Sequence, residues 1–387
     1  MKSKINIGIA CMGLNMIAPI ASAEIMLNGF ASVGGGFNDI QNGDGLNSNY
    51  SEDKFSADPI NKIAIQSSAV LNSLVSVTGQ LLAKGTEDYT VDAEWVYLTL
   101  SPDDNLDLRF GRLRSPLFIY SDYLDVGYAY PWISAPNLVY RFTFDTVEGM
   151  DALYRSSLGK WDTTYQVFYG RLTDEQELFG EELPIDIENF SGINFTLSKG
   201  WLTLRASYNI ATFDIDTPQS NPGLNALFAG LSSPIGPFPA YPDVIEALEI
   251  TDEKAAFYGV GAQIHYEDWI FNTEYTELNI DEQSFISDDK AWYAMLGKQI
   301  GSVLVHATYS KHEDEPDFSF TSGMSEMDPR RTGAESAVLN SETTQIKLGL
   351  RYDFADSTAF KVEVSQSDDD KSDRKANLVA FSIDTVF

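Results

Sequence analysis

Apolar and polar residues alternate with period two along this chain, and beyond residue 23 no stretch has the 18 or more apolar residues a membrane-spanning helix needs. Val75, Val77, Leu81 and Ala83 share a face, and Ser76, Thr78 and Gln80 take the other. Leu202, Leu204, Ala206, Tyr208 and Ile210 oppose Thr203, Arg205, Ser207 and Asn209. Ile346, Leu348, Leu350, Tyr352 and Phe354 oppose Gln345, Lys347, Gly349, Arg351 and Asp353. Successive side chains of a strand point to opposite faces, so each segment reads as a strand with one apolar side. The segments run about 9–12 residues, longer than the usual 5–6 of soluble sheets and enough for a tilted strand to cross a bilayer. Open strand edges cannot face lipid, so such strands enter a membrane only as a closed barrel.

The connections alternate too. Short ones fall at Leu71–Ser73, Asp103–Asn105, Leu158–Lys160, Gly200, Glu267–Asp268, Gly301 and Ala355–Ser357. Between them lie longer polar ones at Asn38–Pro59, Gly85–Thr90, Ser115–Asp145, Asp174–Glu188, Asp214–Glu253, Asp281–Asp288, Glu313–Ser341 and Asp368–Arg374. Seven turns and eight loops predict an all-β fold, a transmembrane antiparallel β-barrel of about sixteen strands with its turns at the periplasmic end.

The first residues read as a secretory leader. Lys2 and Lys4 precede the apolar run Ile5–Ile20, Pro19 interrupts it, and Ala21-Ser22-Ala23 offers small residues for cleavage before Glu24. Residues 1–23 are the expected leader and 24–387 a single barrel domain. The only cysteine, Cys11, goes with the leader, so no disulfide is available to the mature chain. Removing Lys2 and Lys4 from 26 basic residues leaves 24 against 57 acidic ones, a net charge of −33. Nucleic-acid binding rests on phosphate neutralisation by Lys and Arg and is excluded as a function class. Cations, and lipopolysaccharide or other anionic outer-membrane lipids bridged by divalent ions, are compatible partners.

The terminal segment Ala376–Phe387 puts Val379, Phe381, Ile383 and Phe387 on one face, with Phe387 last. A strand ending in Phe is similar to the signal read by the barrel assembly machinery. With the turn rhythm and Gly29–Phe37 as a first strand, the mature chain resembles the sixteen-stranded porins of Gram-negative bacteria. The sharpest local piece is Leu106-Asp107-Leu108-Arg109-Phe110-Gly111-Arg112, which in that family is the fifth strand and leads into a third loop. The resemblance implies a water-filled channel for passive diffusion of small hydrophilic solutes, a homotrimer, no cofactor, and a third loop, Ser115–Asp145, folded into the lumen. In place of the family's Pro-Glu-Phe-Gly-Gly stretch, that loop reads Ser121-Asp122-Tyr123-Leu124-Asp125-Val126-Gly127-Tyr128-Ala129-Tyr130-Pro131-Trp132.

If Leu106, Leu108 and Phe110 face lipid, Asp107 and Arg109 face the lumen. The same parity sends Lys62, Arg205, Lys347, Arg351 and Lys361 inward, since a lipid-facing charge costs about 2–4 kcal/mol at mid-membrane. Arg112 and Arg114 share the parity of Phe110 but lie near the outer end where the strand enters the loop, and a bulge or exit from the membrane there would turn them to the pore. A constriction is expected between Asp107, Arg109, Arg112 and Arg114 on the wall and Asp122, Asp125, Tyr123 and Tyr128 on the loop, with Asp145 as a further counter-charge. The charges either set a transverse field across a pore or staple the loop to the wall. Phe118, Tyr120, Tyr123, Tyr128, Tyr130 and Trp132 either stack sugars or pack the loop, and packing needs an apolar face in any case. Tyr97, Tyr169, Trp201, Trp269 and Trp292 are expected in interfacial girdles.

Rival functions are a sugar- or dicarboxylate-selective pore and a non-conducting adhesin or receptor barrel. An enzyme is disfavoured: His265 and His306 sit singly in strands, His312 borders a loop, and Gly259-Val260-Gly261 lacks the rest of a dinucleotide motif. The acidic stretches Asn38–Asp53 and Asp368–Asp373 do not match EF-hand spacing, so they read as solvated loop charge and no metal site is assigned. The net charge points to a mild preference for cations.

Overall fold

The computed structural model describes residues 24–41, 50, 53–142, 145–178, 181–215, 222–281 and 286–387. The leader and most of the acidic stretch Asn38–Asp53 therefore lie outside the described residues. Sixteen long strands are present: β1 Glu24–Gln41, β2 Lys62–Val70, β3 Val75–Lys84, β4 Val91–Asp103, β5 Leu106–Arg114, β6 Thr146–Leu158, β7 Trp161–Leu178 and β8 Glu181–Lys199. The second half continues as β9 Leu202–Ile215, β10 Ile250–Tyr266, β11 Trp269–Ile280, β12 Asp288–Ile300, β13 Val303–Glu315, β14 Glu342–Ala355, β15 Thr358–Asp369 and β16 Arg374–Val386. A two-residue piece, Phe55–Ser56, adds onto β1. Each strand pairs antiparallel with the next, and β16 returns to β1 with Phe30 opposite Val386 and Gln41 opposite Lys375. The sheet is a closed barrel.

The last residue takes part in closure. Gly29 N–H donates to the Phe387 carbonyl at 2.7 Å, and Phe387 N–H returns the bond to Gly29 at 2.9 Å. The Phe387 ring lies over Gly29, so closely that a Cβ there would run into it.

The burial pattern is inverted relative to a water-soluble protein. Ile25, Leu27, Val33, Phe37, Leu348, Val379 and Phe381 are exposed on the outer wall, whereas Lys361, Ser382 and Asp384 are buried inside. This is the arrangement the alternation predicts for strands between lipid and lumen. Tyr169, Trp201, Trp269 and Trp292 are exposed on the outside. Tyr97 corrects the girdle expectation: it lies beneath the Arg109 guanidinium, 5.4 Å from ring centroid to Cζ, on the inner side. A register shift between Gln80 and Leu81 in the β3–β4 ladder sits just beyond Tyr97, and Val96 takes the outward position.

Leu106–Arg114 is the fifth strand, as expected, and the seven short turns share one end. The expected loop Asp174–Glu188 is corrected to a continuous hairpin, with β7 running to Leu178 and β8 starting at Glu181. Its charged residues do not end the strands, because above the membrane the outer face of a strand meets water. Leu183, Ile185 and Ile187 meanwhile keep the inner face apolar.

Two loops carry helices: α1 Pro222–Leu231 and α2 Pro242–Leu248 between β9 and β10, and α3 Pro329–Ser336 between β13 and β14. Proline stands in the first turn of α2 and α3, where its missing N–H costs no helical bond, and the Asp328 side chain caps α3. Arg330 ties the two loops together by donating to the carbonyls of Gly230 at 2.9 Å, Ser233 at 2.8 Å and Pro239 at 2.8 Å, while pairing with Asp328 at 2.7 Å.

Gly29→Val drives a branched side chain into the Phe387 ring at the closing seam, an overpacking that costs about 1–3 kcal/mol. The temperature at which the folded band converts to the unfolded one in sodium dodecyl sulfate gels is expected to fall, and an unchanged temperature refutes the seam.

Candidate functional site

The chain between β5 and β6 turns into the barrel. The change of direction begins at Gly111, whose φ of 139° is open only to glycine and whose missing Cβ leaves room for the Val96 carbonyl. Arg112 stays exposed on the outer wall opposite Glu148, which corrects its expected turn into the lumen. Arg114, two residues on, ends the strand with its side chain inside, over the Trp95 ring and paired with Glu94 at 3.0 Å and with Asp125 and Asp145. The strand end, not the bulge parity, separates the two arginines.

From there the third loop crosses the lumen and is held at each step by inward side chains of the wall. Arg205 on β9 donates to the Pro116 carbonyl at 2.6 Å, and Ser207 to that of Leu117 at 3.1 Å. Glu274 on β11 accepts from Ile119 N–H at 2.7 Å and from the Tyr140 hydroxyl at 2.5 Å. Lys361 on β15, fully buried, donates to the carbonyls of Gly127 at 2.5 Å and Trp132 at 2.6 Å and pairs with Asp384 at 3.1 Å. Arg351 on β14 donates to the carbonyls of Tyr128 at 2.8 Å and Tyr130 at 3.0 Å. Lys347 reaches Ser134 at 3.4 Å, Glu363 accepts from Ile133 N–H at 3.1 Å, and Trp132 donates to Thr308 at 2.8 Å. Arg141 closes the path by pairing with Asp289 on β12.

Asp125 is the loop's own anchor. Burial by itself would raise its carboxyl, but the Arg114 guanidinium, with the ammonium groups of Lys62 and Lys84, outweighs this and holds it well below the usual carboxylate range. Glu94, Asp125 and Asp145 could together ligate a metal, yet Arg114 pairs with all three of them. The loop aromatics pack against one another: Tyr120 meets Trp132 edge-on at 5.7 Å and Tyr130 at 5.9 Å, and Trp132 meets Tyr293 of the wall at 5.5 Å.

Residues 9–372 match the family of Gram-negative porins. The chain belongs to that family. No curated protein matches it. Among solved structures it is similar to the outer-membrane channel DcaP of Acinetobacter baumannii, with TM-score 0.59 and 13% identity over 95% of this chain and 98% of that one. It is also similar to an anion-selective porin from Comamonas acidovorans, with TM-score 0.55 and 12% identity over 94% and 100% of the two chains. A third is OmpT of Vibrio cholerae in its trimer form, with TM-score 0.52 and 11% identity over 94% and 99%. The protein is an outer-membrane β-barrel channel for passive diffusion.

The other expected site residues of this porin divide into groups. Arg109 faces inward, with its Nε 2.8 Å from Asp151, whose second oxygen accepts from Gln166 at 2.8 Å. Asp107 lies nearer the turn end, between Ser101 at 2.6 Å and Arg155 at 2.7 Å, and does not meet the loop. Asp122 is exposed, within electrostatic reach of Arg109. Tyr123 is half-buried against Tyr120, and burial raises its hydroxyl pKa. Tyr128 lies half-exposed under Arg351 at 4.7 Å.

The parity that placed the cations also marks their partners Asp151, Glu363 and Asp384, and the loop-holding Glu274, none of which were singled out from sequence. One grouping was invisible there: Ser341 Oγ lies 3.3 Å from His312 Nδ1, and His312 Nε2 lies 3.3 Å from Asp314. The Ser341 hydroxyl and its N–H both donate to Asp314, at 2.8 and 2.7 Å, so the hydroxyl proton is directed to the carboxylate instead of the imidazole. The group closes the neck of a loop.

Arg114→Ala leaves Glu94, Asp125 and Asp145 without their shared cation, a loss of about 3–5 kcal/mol for a buried pair broken on one side. The depressed carboxyl of Asp125 contributes stability that is present above its unfolded pKa and lost as pH falls through its folded one. Trp132 fluorescence is therefore expected to stay constant on acidification through the normal carboxylate range in the wild type and to change within that range in Arg114→Ala. Coincident transitions overturn the anchor.

Proposed function

We propose that this porin passes small hydrophilic solutes with a preference for cations, works as a homotrimer after removal of residues 1–23, and performs no covalent chemistry. The observation that carries the ion preference is the pairing of the wall cations. Lys62, Arg109, Arg114, Lys347, Arg351 and Lys361 each pair with a carboxylate. Arg205, held by the Pro116 carbonyl, has no carboxylate partner among the described residues, and exposed Asp122 offers a negative charge to the lumen. With the basic residues occupied locally, the formal charge of −33 left once residues 1–23 are removed sets the mean field, and screening over about 8–10 Å makes lumen-exposed carboxylates such as Asp122 count most for a passing ion. The anion selectivity of the Comamonas acidovorans porin belongs to that protein, and the opposite sign is proposed here.

Broad diffusion is favoured over a sugar track because Phe118, Tyr120, Tyr130 and Trp132 are buried and spend their faces on packing. A trimer is supported by Arg112 and Glu148, which stand opposite one another across β5 and β6 as a charged patch on the outer wall that a neighbouring subunit would cover.

Reversal potentials in a potassium chloride gradient across planar bilayers are expected to carry the cation sign and to shift toward zero in Asp122→Asn. An anion-signed potential in the wild type overturns the preference, and absence of current overturns the pore. Native mass measurement is expected to give three chains per particle, weakened by Arg112→Glu, which faces Glu148; a monomer in the wild type refutes the assembly.

A further inference from the structure

The inner wall of a water-filled barrel is ordinarily polar. On the loop side of the third loop, one sector of this wall is not. Ile187 on β8, Phe213 on β9, Phe257 on β10, and Leu278 and Ile280 on β11 line a recess of about 870 Å³ counting its open side. Leu117 and Phe142 from the two ends of the third loop, and Leu339 from the loop after α3, converge on it. Simple packing of the third loop does not require this, because the loop's contacts elsewhere on the wall are made by Lys361, Arg351, Glu274 and Arg205. The register shift between Ile210 and Thr212 in the β8–β9 ladder precedes Phe213 and Ile215, whose side chains are buried inside.

One polar side chain lines the recess without a partner. Asn209 is 1% exposed, and neither its Nδ2 nor its Oδ1 finds a hydrogen bond among the described residues. It stands on β9 opposite Gly192 and Phe257, so its strand neighbours offer it no side-chain donor or acceptor. A buried primary amide left unpaired is costly, and the cost is removed by a ligand that both fills apolar space and brings one donor or acceptor. Among the described residues the only cation at the recess, Arg141, is already paired with Asp289, so a ligand carboxylate finds no free counter-charge there.

We propose that this recess binds a neutral aromatic or alicyclic molecule carrying a single hydrogen-bonding group, with the group on Asn209 and the rings against Ile187, Phe213 and Phe257. The site is separate from the third-loop constriction and adds to the diffusion channel a loop-side station for apolar solutes.

Equilibrium dialysis of 1-naphthol and of naphthalene against the full chain in lipid nanodiscs tests this, with empty nanodiscs as the baseline for lipid partitioning. Saturable uptake of 1-naphthol at one per chain is expected, with naphthalene weaker. Asn209→Leu is expected to weaken 1-naphthol about tenfold while leaving naphthalene within about twofold. Leu278→Trp, which fills the recess and keeps Asn209, is expected to abolish both. Heat-modifiable gel mobility verifies that each variant is folded. Uptake equal to that of empty nanodiscs, equal effects of Asn209→Leu on the two probes, or binding that survives Leu278→Trp overturns the proposal. Planar-bilayer current is read separately, so a failed site and a failed channel give different results.

Discussion

Every backbone N–H and C=O that enters the hydrocarbon layer must find a partner within the protein, and this requirement shapes the rest of the porin. The sheet meets it by closing β16 onto β1, down to the bonds between Gly29 and Phe387. Once the cylinder is closed, side chains have only two destinations. Outward positions become apolar, and inward ones inherit nearly all of the wall's charge, because lipid refuses it.

Charges confined to the inside of a cylinder need partners, and the third loop supplies them. Lys361, Arg351 and Arg205 are satisfied largely by loop carbonyls, while Glu274 and Glu363 accept loop N–H groups. A segment without regular secondary structure has many unpaired backbone groups, so a charged inner wall and an irregular loop complete one another. Arg114, with three carboxylates, fixes the point where the loop leaves the wall. This pairing also occupies the cations that would otherwise favour anions in the pore.

Much of this was legible in the chain. Period-two alternation sent Arg109, Arg205, Lys347, Arg351, Lys361 and Lys62 inward, and all six point there. The same rule, applied to acids, would have found Asp151, Glu274, Glu363 and Asp384. It failed where the backbone leaves strict alternation. Arg112 and Arg114 share a parity yet separate at the strand end, whereas Tyr97 lies inside by the ordinary alternation that puts Val96 outside. Composition misled at Asp174–Glu188, because polar residues mark a loop only while the outer face of a strand lies in lipid.

The sequence by itself determined the class of fold, the strand count and the face of most residues, since those depend on local periodicity and on the incompatibility of charge with lipid. It could not determine which inward charges meet. Arg114 and Asp125 are eleven residues apart, but Trp132 of the third loop meets Lys361 on a strand more than two hundred residues further along the chain. Whether Asp125 anchors the loop while Asp122 stays open to the lumen, and whether an apolar recess forms around Asn209, depends on how the third loop lies across the closed cylinder. That path is set by the sum of contacts distant in sequence, and only the tertiary structure decides it.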